Sequence, residues 1–191
     1  MTLDIIVGIA IPVLWLTWLA YWWYSARDVK RTRVPEPLSS HLRHRAPLVI
    51  GVLLFAAPRL WLGVLTRRFV PVGPIFPVLG TLLLAAGLGF SVWARRHLGR
   101  NWSTNVVVKE DHALVRTGPY RLVRHPIYTG LLLAFFGMAL AIGEWRALAG
   151  LVCFVISFAI KSRLEEARMR ETFPAYEQYR RETRALIPFV Y

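Results

Sequence analysis

Five apolar segments separated by arginine-crowded stretches decide what this chain can fold into. Residues 3–24, 47–65, 75–93, 127–142 and 147–160 are almost free of charge. Backbone buried in hydrocarbon must satisfy its own hydrogen bonds, which selects helices over open sheets. The first segment, about 22 residues at a rise of about 1.5 Å each, is long enough to cross a ~30 Å hydrocarbon core. The second is interrupted by Pro58-Arg59, and the third carries Gly80, Ala85, Ala86, Gly87 and Gly89, small residues that let helices approach closely. The last two are shorter and are joined by the polar turn Gly143-Glu144-Trp145-Arg146. They read as a hairpin that crosses and returns in a tilted or locally thinned geometry, with a re-entrant pair as the alternative. The expectation is an all-α integral membrane protein of about five transmembrane helices, built as one domain over residues 1–191. Residues 1–94 supply three spans and a basic loop, and residues 95–191 form a second half that gathers the polar chemistry.

The composition is 55% hydrophobic, yet the formal net charge is +13. A nucleic-acid binder would mix its cations and aromatics on one exposed face. Here they are segregated along the sequence, so the surplus reads as membrane topology and not as a nucleic-acid surface. Residues 25–46, 95–125 and the tail after 160 carry six, seven and seven cations, whereas the two opposite loops hold Arg67, Arg68 and Arg146. The positive-inside rule then places the N-terminus outside and the C-terminus in the cytoplasm, in agreement with five crossings. The apolar start lacks a basic leader and a small-residue cleavage site, and reads as a retained span. Cys153 is the sole cysteine and lies within an apolar run, so an intrachain disulfide is impossible and a small buried side chain is the reading.

Trp15, Trp18 and Trp22 recur at i, i+3 and i+7 and share one helical face. A lipid-headgroup belt is the expected role, with an aromatic wall for a prenyl or acyl chain as the alternative. The tail from 161 to 183 mixes Glu and Arg with Leu164, Met169, Phe173, Tyr176 and Tyr179. It reads as a continuation of the fifth helix, a break at Pro174 and a short second helix capping the cytoplasmic side. Residues 185–191 are expected to end the chain by packing onto the membrane surface.

The groups with chemical potential fall in two clusters on that cytoplasmic side. One runs from His112-Ala113-Leu114-Val115 through Gly118-Pro119-Tyr120 to Arg124-His125-Pro126-Ile127-Tyr128-Thr129-Gly130. The other is Lys161, Arg163, Glu165 and Glu166. A hairpin of spans four and five brings its two ends out on one face, so the clusters should meet. Glycine-rich phosphate cradles are absent, which argues against nucleoside triphosphates and dinucleotides. His97, His112 and His125 are too scattered for a metal site, and none is expected. What remains is a pocket of aromatics, one imidazole and a carboxylate near cations. It suits a zwitterion bearing a heteroaromatic base and a soft cation. Each residue also has a plainer role: His125 as a helix cap, Tyr120 and Tyr128 as interface anchors, Glu165 and Glu166 as a solvated face paired with Arg168, Arg170 or Lys161. Arg121 and Arg124 could equally hold lipid headgroups or ligand.

The string Gly-Pro-Tyr, four residues, then His-Pro-x-Tyr-x-Gly, followed by the paired glutamates and Tyr176-x-x-Tyr179 through Ile187-Pro188-Phe189, resembles the isoprenylcysteine carboxyl methyltransferase family. More loosely, it is similar to the phospholipid methyltransferases that share its C-terminal half. Leu98-Gly99-Arg100-Asn101-Trp102-Ser103 and His112-Ala113-Leu114-Val115 belong to the same likeness, which covers roughly residues 95–191. The resemblance implies S-adenosylmethionine as cofactor, with His112, Leu114 and Val115 along the adenosyl group. Tyr120, His125, Pro126 and Tyr128 would close the pocket, and Glu165 would contact the cofactor from the second cluster. It also implies a lipid-like or prenylated substrate in contact with membrane lipids, and no obligate protein partner. The acceptor would enter sideways from the bilayer and the cofactor from the cytoplasm. In the isoprenylcysteine enzymes an Arg four residues before that Glu handles the substrate carboxylate. This chain has Lys161 there and Arg163 two positions on, and a point charge does not replace a planar fork.

In-line attack on a sulfonium methyl mainly requires alignment of the nucleophile. A carboxylate acceptor, with a pKa of about 3.5, is already ionised and needs only a cation to hold it, a role open to Lys161 or Arg163. An amine or thiol would need a base, for which Glu165, Glu166 and His125 are candidates. The residues alone leave both open.

Overall fold

The computed structural model describes residues 2–27, 38–56, 63–99 and 114–187. These form six α-helices: α1 (Thr2–Ser25), α2 (Leu38–Ala56), α3 (Ile75–Leu98), α4 (Pro126–Ile142), α5 (Trp145–Thr172) and α6 (Tyr176–Glu182). Among the described residues there is no β-strand, only two isolated backbone bridges. Boundaries follow local chemistry. Pro126 opens α4 at a position where its missing N–H is not needed. Gly143, in the left-handed conformation at φ 69°, closes α4 with its N–H on the Ala139 carbonyl. Only glycine accepts that backbone without strain, and it allows α5 to start two residues later. Pro174 follows the end of α5, and α6 comes after it, as the sequence leads one to expect.

Among the described residues three helices are long and apolar enough to cross a membrane, by length and composition: Ile5–Ser25, Ile75–Leu98 and Trp145–Thr172. α4 is apolar but only 17 residues long. α2 begins at Leu38, nine residues before the expected start at Pro47, which lies inside the helix. Its first turns therefore carry the polar His41, Arg43, His44 and Arg45, and the Pro58-Arg59 interruption lies outside the described residues. At 28 residues α5 runs about 42 Å, so about 12 Å of it projects beyond a ~30 Å hydrocarbon layer.

The most extensive helix pairings are α3 with α4 and α2 with α5; α4 also meets α5, and α1 lies on α3. The α3–α4 pair is glycine-built. A Cβ on Gly130 would fall 2.6 Å from the Gly87 carbonyl oxygen, and one on Gly137 would fall 2.5 Å from that of Gly80. Gly80 and Gly87 thus act as expected, whereas Gly89 faces open space. Phe135 and Phe154 stack at 3.7 Å between ring centroids, with Phe55 within 6.0 Å of both.

The tryptophan face is a correction. Trp15, Trp18 and Trp22 do share a face, but it turns into the bundle instead of forming a headgroup belt. Trp18 Nε1 donates to Ser91 Oγ of α3 at 2.8 Å, Trp18 stacks on Trp22 at 4.5 Å, and Trp15 lies 5.1 Å from Phe135. The indole N–H finds its acceptor on the neighbouring helix, and the rings add apolar burial there. Trp23 and Tyr24 are the exposed aromatics of this turn. Outward faces of α1 and α5 carry Ile5, Ile9, Leu16, Val152 and Ile156, a surface suited to lipid.

Candidate functional site

The hairpin of α4 and α5 brings the two polar clusters together. Tyr128, in the first turn of α4, donates its hydroxyl to Glu165 Oε1 on α5 at 2.6 Å. His125, at the entry to α4, lies with Nδ1 3.4 Å from Glu165 Oε2 and Nε2 3.2 Å from Glu166 Oε1. His125 occupies the cap position of α4 but makes no side-chain cap, because its ring is spent on the two glutamates. The rings of His125, Tyr128 and Phe158 form a parallel series, 5.6 and 5.0 Å between successive centroids. Lys161 Nζ stands 5.6 Å over the Tyr128 ring, a cation–π contact that adds to its charge interaction with Glu165.

The adjacent glutamates have different environments. Glu166 is buried, with Oε1 accepting from Arg124 Nε at 2.7 Å as well as facing His125. Glu165 has a side chain 18% exposed, twice the 9% of Glu166, and retains acceptor capacity beyond Tyr128 and His125. Neighbours in a helix point about 100° apart. Burial alone would push the His125 pKa down, but hydrogen bonding and charge from Glu165 and Glu166 outweigh it, and the net shift is upward. Burial raises the Tyr120 phenol above its ordinary value, and the charge of Glu165 raises it further, which puts Tyr120 within electrostatic reach of that carboxylate.

Local backbone fixes this arrangement. Residues 118–121 form a 3₁₀ turn that begins at Gly118, φ 59°, where a Cβ would also strike the His97 ring at 2.6 Å. His97 Nε2 and Thr117 Oγ1 lie 2.8 Å apart, and the His97 and Tyr120 rings stack at 6.4 Å. The Tyr120 carbonyl accepts from the Tyr179 hydroxyl of α6 at 2.5 Å. The backbone N–H groups of Arg124 and His125 donate to the carbonyls of Arg184 and Ala185 at 2.8 and 3.0 Å, and Thr129 Oγ1 donates to the Leu186 carbonyl at 2.6 Å. The tail after α6 is therefore laced onto the His125 turn. Ala185 and Leu186 are buried there in protein, a correction to the expected seat on the membrane surface; Ile187 is exposed and residues 188–191 lie outside the described residues.

Of the expected site residues, Tyr120, His125, Pro126, Tyr128, Lys161 and Glu165 gather at this end of the bundle. Leu114 and Val115 are half-buried, with Val115 against the core. His112 and the 100–103 part of the upstream signature lie outside the described residues. Arg163 is exposed, about 200° around α5 from both Lys161 and Glu165, and lines a cleft on the Glu166 side. Arg124 grips Glu166 and the Arg180 and Thr183 carbonyls, so it braces the tail and does not reach for headgroups. Sequence reasoning missed the buried Arg95, which donates to the Gly99 carbonyl at 2.7 Å and to that of Ser25 at 2.5 Å, tying the ends of α3 and α1. Its only signal was charge inside an apolar periodicity. Among the described residues no group of three or more His, Cys, Asp or Glu side chains could hold a metal ion.

A family model described as phospholipid methyltransferase matches residues 75–176, more than half of the chain and all of the His125–Glu165 cluster. The chain is 33% identical over 114 residues to a cobalt-zinc-cadmium resistance protein of Cupriavidus metallidurans, an alignment covering 56% of this chain and 50% of that protein. It is 28% identical over 167 residues to a nickel-cobalt-cadmium resistance protein of Alcaligenes xylosoxydans xylosoxydans, covering 81% and 70%. It is 34% identical over 118 residues to the protein-S-isoprenylcysteine O-methyltransferase of Saccharomyces cerevisiae, covering 59% and 49%. The chain thus spans about half the length of two of these curated relatives.

Proposed function

This chain belongs to the phospholipid methyltransferase family, and on that footing we propose that it transfers a methyl group from S-adenosylmethionine to a hydrophobic, membrane-resident acceptor. The observation that carries the reading is the Glu165 carboxylate, held by Tyr128 at 2.6 Å beside the ring series of His125, Tyr128 and Phe158. The donor set fits the cofactor. A partly open carboxylate with spare lone pairs accepts amino or hydroxyl groups, and aromatic faces favour a soft cation. Leu114, Val115, Tyr120, His125, Pro126, Tyr128 and Glu165 would hold it, with His112 completing the adenosyl side. When bound, the cofactor supplies an electrophilic methyl group on a sulfonium centre.

The protein's own work is alignment and charge. Lys161 stands where it can hold an anionic acceptor near Tyr128, and a carboxylate acceptor arrives ionised and releases no proton. Carboxyl methylation of an isoprenylcysteine-like molecule is therefore the preferred reading, supported by the yeast relative's name. A lipid amine is the second reading, supported by the family description, and for it Glu165, Glu166 and His125 are the candidate bases. The segregation of cations supports five crossings with the N-terminus outside and the site in the cytoplasm. Residues 95–191 act as the cofactor and catalytic half.

The test is calorimetric titration of the full chain in detergent with S-adenosylmethionine and its demethylated product. Prenylcysteine, lipid-amine and thiol acceptors are then offered in parallel. Saturable binding lost in Glu165→Ala, with methyl transfer to one acceptor class, is expected. Absence of binding in a folded, monodisperse sample refutes the reading.

A further inference from the structure

We infer that the cleft between the end of α5, α6 and the tail is a binding site for a phosphate monoester group. The inference goes beyond methyl transfer and does not rest on it. The cleft has a volume of about 670 Å³, within the size range of small-ligand sites. Among the described residues six arginines line it: Arg124, Arg163, Arg170, Arg180, Arg181 and Arg184. Glu166 is the one carboxylate in the lining among the described residues, and it is already engaged with Arg124 and His125. Arg180 pairs with Glu177 at 3.3 Å on the surface. Arg170, Arg181 and Arg184 are exposed and make no ion pair with any described residue.

Convergence of Arg170, Arg181 and Arg184 on a cleft that also holds Arg124, Arg163 and Arg180 is unfavourable unless an anion enters it, and the backbone that carries Arg181 and Arg184 is held in place. The tail that carries Arg184 is held by the Arg124 and His125 N–H groups, and α6 is held through the Tyr179–Tyr120 bond. The ligand's charge follows from the lining. With Arg124 met by Glu166 and Arg180 by Glu177, Arg170, Arg181 and Arg184 present three positive charges to the cleft, more than a singly charged group would offset. A phosphate monoester brings nearly two charges and three terminal oxygens, matched to forked guanidinium donors. Among the described residues no aromatic side chain lines the cleft, so none of them would stack a nucleotide base. The cleft also lies on the Glu166 side of α5, away from Lys161 and Glu165, which separates it from the proposed methyl-transfer site. A soluble phosphate ester and the phosphate headgroup of a membrane lipid share this chemistry.

The experiment uses the full chain in phosphatidylcholine nanodiscs. Thermal unfolding is followed while phosphatidic acid is incorporated in one arm and glycerol 3-phosphate is added in the other. Saturable stabilisation is expected in at least one arm, with apparent affinity at least about tenfold weaker in the combined Arg170→Gln, Arg181→Gln, Arg184→Gln variant. An effect confined to phosphatidic acid identifies a lipid headgroup, and an equal effect of glycerol 3-phosphate identifies a soluble ester. Neither probe acting saturably, or the variant responding as the wild type does, overturns the inference. A salt titration of the wild type is a second check that needs no variant, because an arginine–phosphate site must weaken as ionic strength rises. Binding insensitive to salt counts against it.

Discussion

The Tyr128 hydroxyl reaches across 37 residues of chain to Glu165 Oε1 at 2.6 Å, joining the first turn of α4 to the projecting end of α5. This bond orients the more open of the two glutamates, while His125 faces both. On the proposed reading Glu165 faces the cofactor, so Tyr128 should matter more for binding than for folding.

Tyr128→Phe keeps the ring stack and removes only that donor. We expect S-adenosylmethionine affinity to fall about tenfold, with at most about 1 kcal/mol lost in stability. Calorimetry and thermal unfolding on one preparation separate the two. Unchanged affinity would remove Glu165 orientation from the account of binding.

Arg124→Ala should act in the opposite sense, mainly on folding. Arg124 and Glu166 have side chains 9% exposed each and are 2.7 Å apart, and removing the guanidinium leaves buried Glu166 only the His125 ring that it shares with Glu165. A loss of about 3–5 kcal/mol is expected for such a break. Arg124→Met combined with Glu166→Leu should lose less than the two single changes added together, because the pair is coupled. Additive losses in chemical denaturation would show the pair to be independent.

The raised pKa of His125 sets a direction for pH dependence. Burial opposes the proton, but Glu165 and Glu166 hold it more strongly than the ordinary value of 6.5 reflects. The native state thus binds this proton more tightly than the unfolded chain does. Its contribution is complete below about pH 6.5 and is lost as pH rises through the raised native value. The wild-type melting temperature should therefore fall relative to that of His125→Asn as pH rises from about 6.5 through the raised native value. Parallel profiles would mean that the imidazole is not held as a cation.

Much of this architecture is legible in the sequence, because hydrocarbon leaves the backbone few options and Pro126, Gly143 and Pro174 mark helix ends. The meeting of His125 and Tyr128 with Glu165 follows from a hairpin alone. Direction around a helix is harder to read. Trp15, Trp18 and Trp22 share a face at any rotation of α1, and it is partners on other helices, Ser91 and Phe135, that turn that face inward. Likewise nothing in Glu165-Glu166 tells which glutamate is spent on Arg124, a partner 42 residues away. Burial of Arg95 and the lacing of residues 184–186 depend on backbone carbonyls, which carry no sequence signal.

Helix contact between α3 and α4 gives a prediction with its own control. A Cβ at Gly87 would collide with the backbone of Gly130 and Ala134, neither of which is a flexible tip that can move aside, whereas Gly89 two residues away meets nothing within 4 Å. Gly87→Ala should part the helices and cost about 1–3 kcal/mol, the usual penalty for overpacking. Gly89→Ala should be neutral or stabilise by up to about 1 kcal/mol through helix propensity. The separation reaches function, because α4 carries His125 and Tyr128 at one end and Gly130 one turn further in. Gly87→Ala should therefore also weaken cofactor binding, while Gly89→Ala leaves it unchanged. Both are read from unfolding and binding of the two variants in one detergent. Equal behaviour of the two would show that close α3–α4 approach does not position the site.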